Sequence, residues 1–188
     1  MRVVLATLML VAVACSSAPP QPTPRAVASP SPAPTPIRLK APPEAILEDA
    51  QIGLPRTAAR DHLTAAEAAS FAADQPLALQ TYTSWGWVEE STRTWSGGDR
   101  SADALVLLTL RPAGARLAFV YYAQATDVAP YSSASCPAAI TGLDGCHMGT
   151  TGARAVITGW LSEEVFVIGG SGVDVGALAA LQAGRLRA

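Results

Sequence analysis

The chain has 188 residues, of which 49% are apolar and 15% charged, with a formal net charge of −2. That length suits one domain and excludes a multidomain enzyme or a long repeat array. The apolar share excludes a wholly disordered chain, and the lack of a basic field excludes a nucleic-acid partner.

After Met1-Arg2, residues Val3 to Ala14 (VVLATLMLVAVA) form a largely apolar run, too short for the roughly 20 residues that span a bilayer and suited to the core of a signal peptide. The next residues, Ala12-Val13-Ala14-Cys15, resemble the lipobox of bacterial lipoproteins, although Ala12 stands where the family usually carries Leu. The resemblance covers only these first fifteen residues and implies that Cys15 is acylated and becomes the mature terminus. Ala-Val-Ala also fits an ordinary secretory cleavage site, which leaves a secreted protein as the alternative.

Residues 16 to 44 hold ten of the fifteen prolines and no aromatic residue. Such a composition builds no core and favours polyproline II at about 3.1 Å per residue, so it reads as a disordered stalk of up to roughly 90 Å. The expected organisation is a signal peptide over 1–14, an acylated Cys15 with a stalk to 44, and one folded domain over 45–188.

Within that domain, Thr64 and Glu67 have capping-box spacing and predict a helix to about Ala73; Asp74 and Pro76 predict a second that ends near Gly86. Trp87 to Trp95 alternates as a strand, and Ala104 to Leu110 (ALVLLTL) is a buried strand. Residues 112–125 fit two patterns. As a helix, Ala113, Leu117, Val120, Tyr121 and Gln124 share one side; as a strand, Leu117, Phe119 and Tyr121 alternate, and the helix is preferred. Strands follow at 153–159 and 164–169, then a helix in which Ser171 and Asp174 have capping-box spacing. The order α-α-β-β-α-β-β-α predicts an α+β fold, an antiparallel sheet of about four strands with helices on one face.

Chemistry is sparse. Cys136 and Cys146 lie in a Gly-, Ser- and Pro-rich segment, and on an exported chain they predict a disulfide. Cys146-His147-Met148 beside Cys136 also offers soft ligands that suit copper, but three adjacent residues do not readily face one ion, so no metal and no cofactor is expected. Gly169-Gly170-Ser171-Gly172 lacks the last glycine of a nucleophile elbow. Glu89-Glu90 and Glu163-Glu164 are adjacent pairs that point to opposite faces of a strand and read as solvated edges; no catalytic residue is identified. An aromatic set (Tyr82, Trp85, Trp87, Trp95, Tyr121, Tyr122, Tyr131, Trp160) reads first as core, while Trp87, Arg93 and Trp95 form a candidate ligand-binding group.

With 12 Arg to 1 Lys, its element order and its single disulfide loop, the chain is similar to uncharacterised lipoproteins of high-GC Gram-positive bacteria. The expected function is a lipid-anchored, extracytoplasmic, non-catalytic module. Its partners would be membrane lipid through Cys15 and an envelope ligand or surface protein. A cell-envelope hydrolase is the alternative.

Overall fold

The computed structural model describes residues 39–125 and 131–187. The expected signal peptide, Cys15 and most of the stalk lie outside them. The folded body begins before Ala45: Leu39 bridges to Arg187 and packs against the core, so this end of the expected stalk buries apolar surface.

The elements in chain order are α1 (Pro42–Ala45), α2 (Asp49–Ile52), β1 (Arg56–Leu63), α3 (Ala65–Ala69), α4 (Gln75–Ser84), β2 (Trp87–Gly97), β3 (Arg100–Thr109), α5 (Pro112–Ala125), β4 (Ser132–Ala134), β5 (Gly145–Thr151), β6 (Arg154–Leu161), β7 (Glu164–Ser171) and α6 (Val175–Arg185). All seven strands form one antiparallel sheet, in the order β1-β2-β3-β7-β6-β5-β4. The fold is α+β as expected, but the four-strand count is corrected to seven. The three missed strands are the outer ones. Every side chain of β1 before Leu63 is exposed, β4 has three residues, and β5 (GCHMGTT) is rich in Gly and polar groups, so none carries an alternating apolar pattern.

The placement of helices on one face is also corrected. On β3, Ala102, Ala104 and Val106 belong to one core cluster, whereas Leu105 and Leu107 belong to another. The first cluster is covered by Ile46, Leu47 and Ile52 of the α1–α2 segment and by Val175, Leu178, Ala179 and Ala183 of α6. The second is covered by Trp85 after α4 and by Ala115 and Ala118 of α5. A central strand that is apolar on both sides needs cover on both, and the continuous ALVLLTL run fits this arrangement.

Local chemistry sets the helix ends. Thr64 caps α3 through a reciprocal box with Glu67, and Asp74 accepts from Leu77 N at 3.0 Å. α6 is capped by Asp174, which accepts from Ala177 N at 2.9 Å; Ser171 is instead the last residue of β7. α6 is tied to the chain start by buried Gln182, whose Oε1 accepts from Leu47 N (3.1 Å) and whose Nε2 donates to Ala45 O (2.9 Å). Segment 112–125 is a helix, and Gly114 in its first turn lies against the Trp85 carbonyl, where a Cβ would sit 1.8 Å from the oxygen.

Cys136 and Cys146 form the disulfide, with Cα atoms 6.3 Å apart. It ties the 135–144 loop to β5, where Ile140 and Leu143 pack on the α6 side of the core. Among the described residues no helix is long and apolar enough to cross a membrane.

Candidate functional site

Trp87, Arg93 and Trp95 all stand at odd positions of β2, and strict alternation would put them on one face. The register slips between Trp87 and Glu89, so that Trp87 joins the α4–α5 side while Trp95 joins the α1–α6 side. The structure therefore divides the group. Trp95 is buried and donates from Nε1 to Asp49 Oδ1 at 2.9 Å. Arg93 is buried and pairs with Asp61 through Nη1 at 2.7 Å, also donating to the carbonyls of Arg60 and Thr92. Trp87 donates from Nε1 to Leu63 O at 3.0 Å. Arg93 borders a cavity of about 240 Å³ beneath Glu48, Asp49 and Arg56. Three of the charges around it are already engaged, because Arg56 lies 3.5 Å from Asp49 and Arg185 pairs with Glu48 at 2.7 Å.

A different opening lies on the α5 side, over the centre of the sheet. In register across three strands, Thr92 on β2 opposes Leu105 on β3, which opposes Val167 on β7; in the next row Thr94 opposes Asp103, which opposes Gly169. Thr92, Thr94, Asp103, Leu105 and Val167, with Arg93, Ala104 and Tyr122 of α5, line a cleft of about 220 Å³. Leu105 and Val167 lie on interior strands, yet both are only half-buried. α5 runs its small side chains, Ala115 and Ala118, over Leu107 and Val165, and leaves the neighbouring row open beyond Tyr122.

Asp103, in the lining of the cleft, is part of a polar network. Arg154 Nη2 lies 2.6 Å from Asp103 Oδ1, and its Nε donates to the Tyr131 hydroxyl at 3.1 Å. Burial lowers the Arg154 pKa, but Asp103 and Tyr131 outweigh it and leave the guanidinium more firmly charged. Gly169 makes room for this pair: a Cβ there would meet Asp103 Oδ2 at 2.5 Å and Arg154 Nη2 at 2.6 Å. A charged pair beside an apolar floor suits an amphipathic molecule with one hydrogen-bonding end.

Behind Tyr122 lies a feature that sequence reasoning assigned to a solvated edge. Glu90 is 5% exposed, and burial pushes its carboxyl up to about 8, against a hydrogen bond with Tyr122 that lowers it. Burial and the nearby Glu90 charge raise Tyr122 in turn. Around them Tyr82 stacks on Trp87 with centroids 4.7 Å apart, and Trp85 meets Tyr121 at 5.2 Å. The aromatic set is thus largely core, but Trp95 is on the far face and Tyr131 bonds to Arg154. Glu89 points to the α1–α6 side, as the opposite-face rule requires, and its Oε1 lies 2.7 Å from His62 Nδ1.

Glu164 is also buried rather than a solvated edge. Burial, and secondarily the Glu163 charge, pushes it up to about 8, and among the described residues neither carboxylate oxygen has a hydrogen-bond partner. Among the described residues no group of three His, Cys, Asp or Glu side chains is placed to hold a metal ion. The disulfide engages both cysteine sulfurs of the copper alternative.

No signal in the linear sequence marked Thr92, Asp103, Leu105, Arg154 or Val167. Each is an ordinary strand residue until the register brings them together.

No protein-family model and no curated protein sequence matches this chain. Among solved structures it is similar to the extracellular domain of PknH from Mycobacterium tuberculosis, at 10% identity, with 79% of this chain and 95% of that chain covered and a TM-score of 0.48. A likeness at that level transfers no residue.

Proposed function

We propose that the protein is a membrane-anchored extracytoplasmic lipoprotein, acylated at Cys15 and carried on a Pro-rich stalk, whose folded body captures a small, largely apolar ligand without turning it over. The observation that carries the binding role is the cleft over Leu105 and Val167. Interior strands normally bury such side chains, and open apolar floor with a few polar groups in its lining is the usual construction of a small-molecule site. The Cys136–Cys146 disulfide supports an oxidising compartment. The lipobox-like Ala12 to Cys15 supports the anchor, and two acyl chains supply the membrane affinity that a single chain does not.

A cell-envelope hydrolase is the second reading, and Glu90 is the observation that favours it, since a carboxyl held near 8 suits a general acid. Glu90 lies behind Tyr122 and does not line the cleft, so the binding reading fits the geometry better.

The test of binding is a titration of the full chain, carrying Cys15→Ser for solubility, with 8-anilinonaphthalene-1-sulfonate. The dye should bind and brighten, Val167→Arg should abolish the enhancement, and Leu181→Ser, on the far face, should leave it intact. An enhancement that Val167→Arg does not change contradicts the reading. Acylation is tested on the wild-type chain by the mass of its mature amino-terminal peptide, where an unmodified Cys15 thiol contradicts the anchor.

A further inference from the structure

The polar groups in the cleft narrow what it can hold. Thr92, Thr94 and Asp103 share one face of the sheet and line the cleft over Leu105 and Val167. Arg93 stands between the two threonines on β2, so its side chain is directed to the α1–α6 side, where Asp61 pairs with it. Among the described residues no other basic side chain lines the cleft.

Two of the polar atoms are already engaged. Thr94 Oγ1 lies 3.1 Å from Thr57 Oγ1, and Asp103 Oδ1 accepts from Arg154 Nη2 at 2.6 Å. Asp103 Oδ2 and Thr92 Oγ1 make no hydrogen bond among the described residues. Because Thr92 opposes Leu105 while Thr94 opposes Asp103, Thr92 and Asp103 are diagonal neighbours across β2 and β3. Such positions lie about 7–8 Å apart, within reach of one small group placed between them. A carboxylate oxygen only accepts, whereas a threonine hydroxyl also donates. A ligand hydroxyl between them satisfies both, donating to the first and accepting from the second. A ligand carboxylate has no proton for Asp103 and repels it. An ammonium group has the protons, but Arg154 already balances Asp103, so it would bring an uncompensated charge to an apolar floor.

We infer that Asp103 determines the specificity of the cleft, which takes a small neutral amphiphile whose polar end is a hydroxyl. The hydroxyl donates to Asp103 Oδ2 and accepts from Thr92 Oγ1, and the apolar remainder lies on Leu105 and Val167 beside Tyr122. This rests on the binding role proposed for the cleft and names the class of ligand. The volume of about 220 Å³ sets the size. It falls below the roughly 300–1,000 Å³ of sites that enclose a drug-sized molecule, so the enclosed part is a short alkyl chain or one ring. The dye 8-anilinonaphthalene-1-sulfonate meets the same rule, since its anilino N–H is a donor and its sulfonate stays in water outside so small a space.

The experiment follows backbone amide shifts of the full chain with Cys15→Ser at neutral pH, where hexanoate and hexylammonium are charged. These two and 1-hexanol are titrated separately to millimolar concentrations, as ligands of so few atoms bind weakly. Hexanol should give saturable shifts at Leu105 and Val167, with a Kd at least about tenfold lower than that of either charged probe. Thr92→Val should weaken hexanol several-fold. In Asp103→Asn the amide oxygen stays on Arg154 and the amide nitrogen becomes a donor toward the cleft, so the preference for hexanol over hexanoate should fall at least about tenfold. Hexanoate or hexylammonium binding as tightly as hexanol, or a preference that Asp103→Asn leaves unchanged, would overturn the inference while the cleft remains a binding site. Absence of saturable shifts at Leu105 and Val167 with all three probes would overturn both.

Discussion

Two buried carboxyls set the behaviour of this molecule at the scale of single residues. Glu90 and Glu164 are each pushed up from the ordinary 4.5 to about 8, chiefly by burial. A raised folded-state pKa means that the folded chain binds more protons than the unfolded one between those two values, so stability is fully present below about 4.5 and is lost as pH rises through 8. At ~1.4 kcal/mol per pKa unit the loss is on the order of a few kcal/mol for each group. Denaturant melts should therefore show stability falling between pH 5 and pH 9. Glu164→Gln should be more stable than wild type at pH 9 and close to it at pH 5. A flat profile, or a Gln variant no more stable at high pH, contradicts the assignment of these groups as buried acids. Neither carboxyl was legible in the sequence. Glu89-Glu90 and Glu163-Glu164 look alike as adjacent acidic pairs, and only the packing of the second layer shows that one member of each is enclosed.

At the scale of elements, the strongly patterned segments were legible. ALVLLTL announced a central strand, and Asp74 and Pro76 announced the start of α4, while 112–125 fitted helix and strand alike and is a helix. Strands that owe their place to backbone pairing rather than to an apolar face were not, as β1 and β5 show. Phase was the other failure. A single bulge after Trp87 moves that ring to the opposite face from Trp95, and no residue in Trp87-Val88-Glu89 marks it. The orientation of α5 also escaped periodicity, because both of its sides are apolar. What selects the inner one is close approach. Gly114 against the Trp85 carbonyl, followed by Ala115 and Ala118, allows the helix to lie near the sheet, and a larger face would hold it away.

At the scale of the whole molecule, two helical layers cover one antiparallel sheet unequally. On one side, Gln182 and Arg185 of α6 bind the α1–α2 segment through buried and charge-assisted hydrogen bonds, and the disulfide loop adds further cover. On the other, α4 and α5 leave a row of the sheet open at Leu105 and Val167. That inequality is where sequence reasoning about function fell short. A binding site made from Thr92, Asp103, Leu105, Tyr122 and Val167 draws on four elements, and its strand residues meet only through register. The same register explains why the group proposed from Trp87, Arg93 and Trp95 does not converge. The most direct measurement is the map of backbone amide shifts in the full chain with Cys15→Ser as 8-anilinonaphthalene-1-sulfonate is added. The cleft reading predicts saturable shifts concentrated at Thr92, Leu105, Tyr122 and Val167, with Trp95 and α6 unmoved, whereas shifts centred on Asp49 and Arg56, or on the outer side of α5 alone, would contradict it.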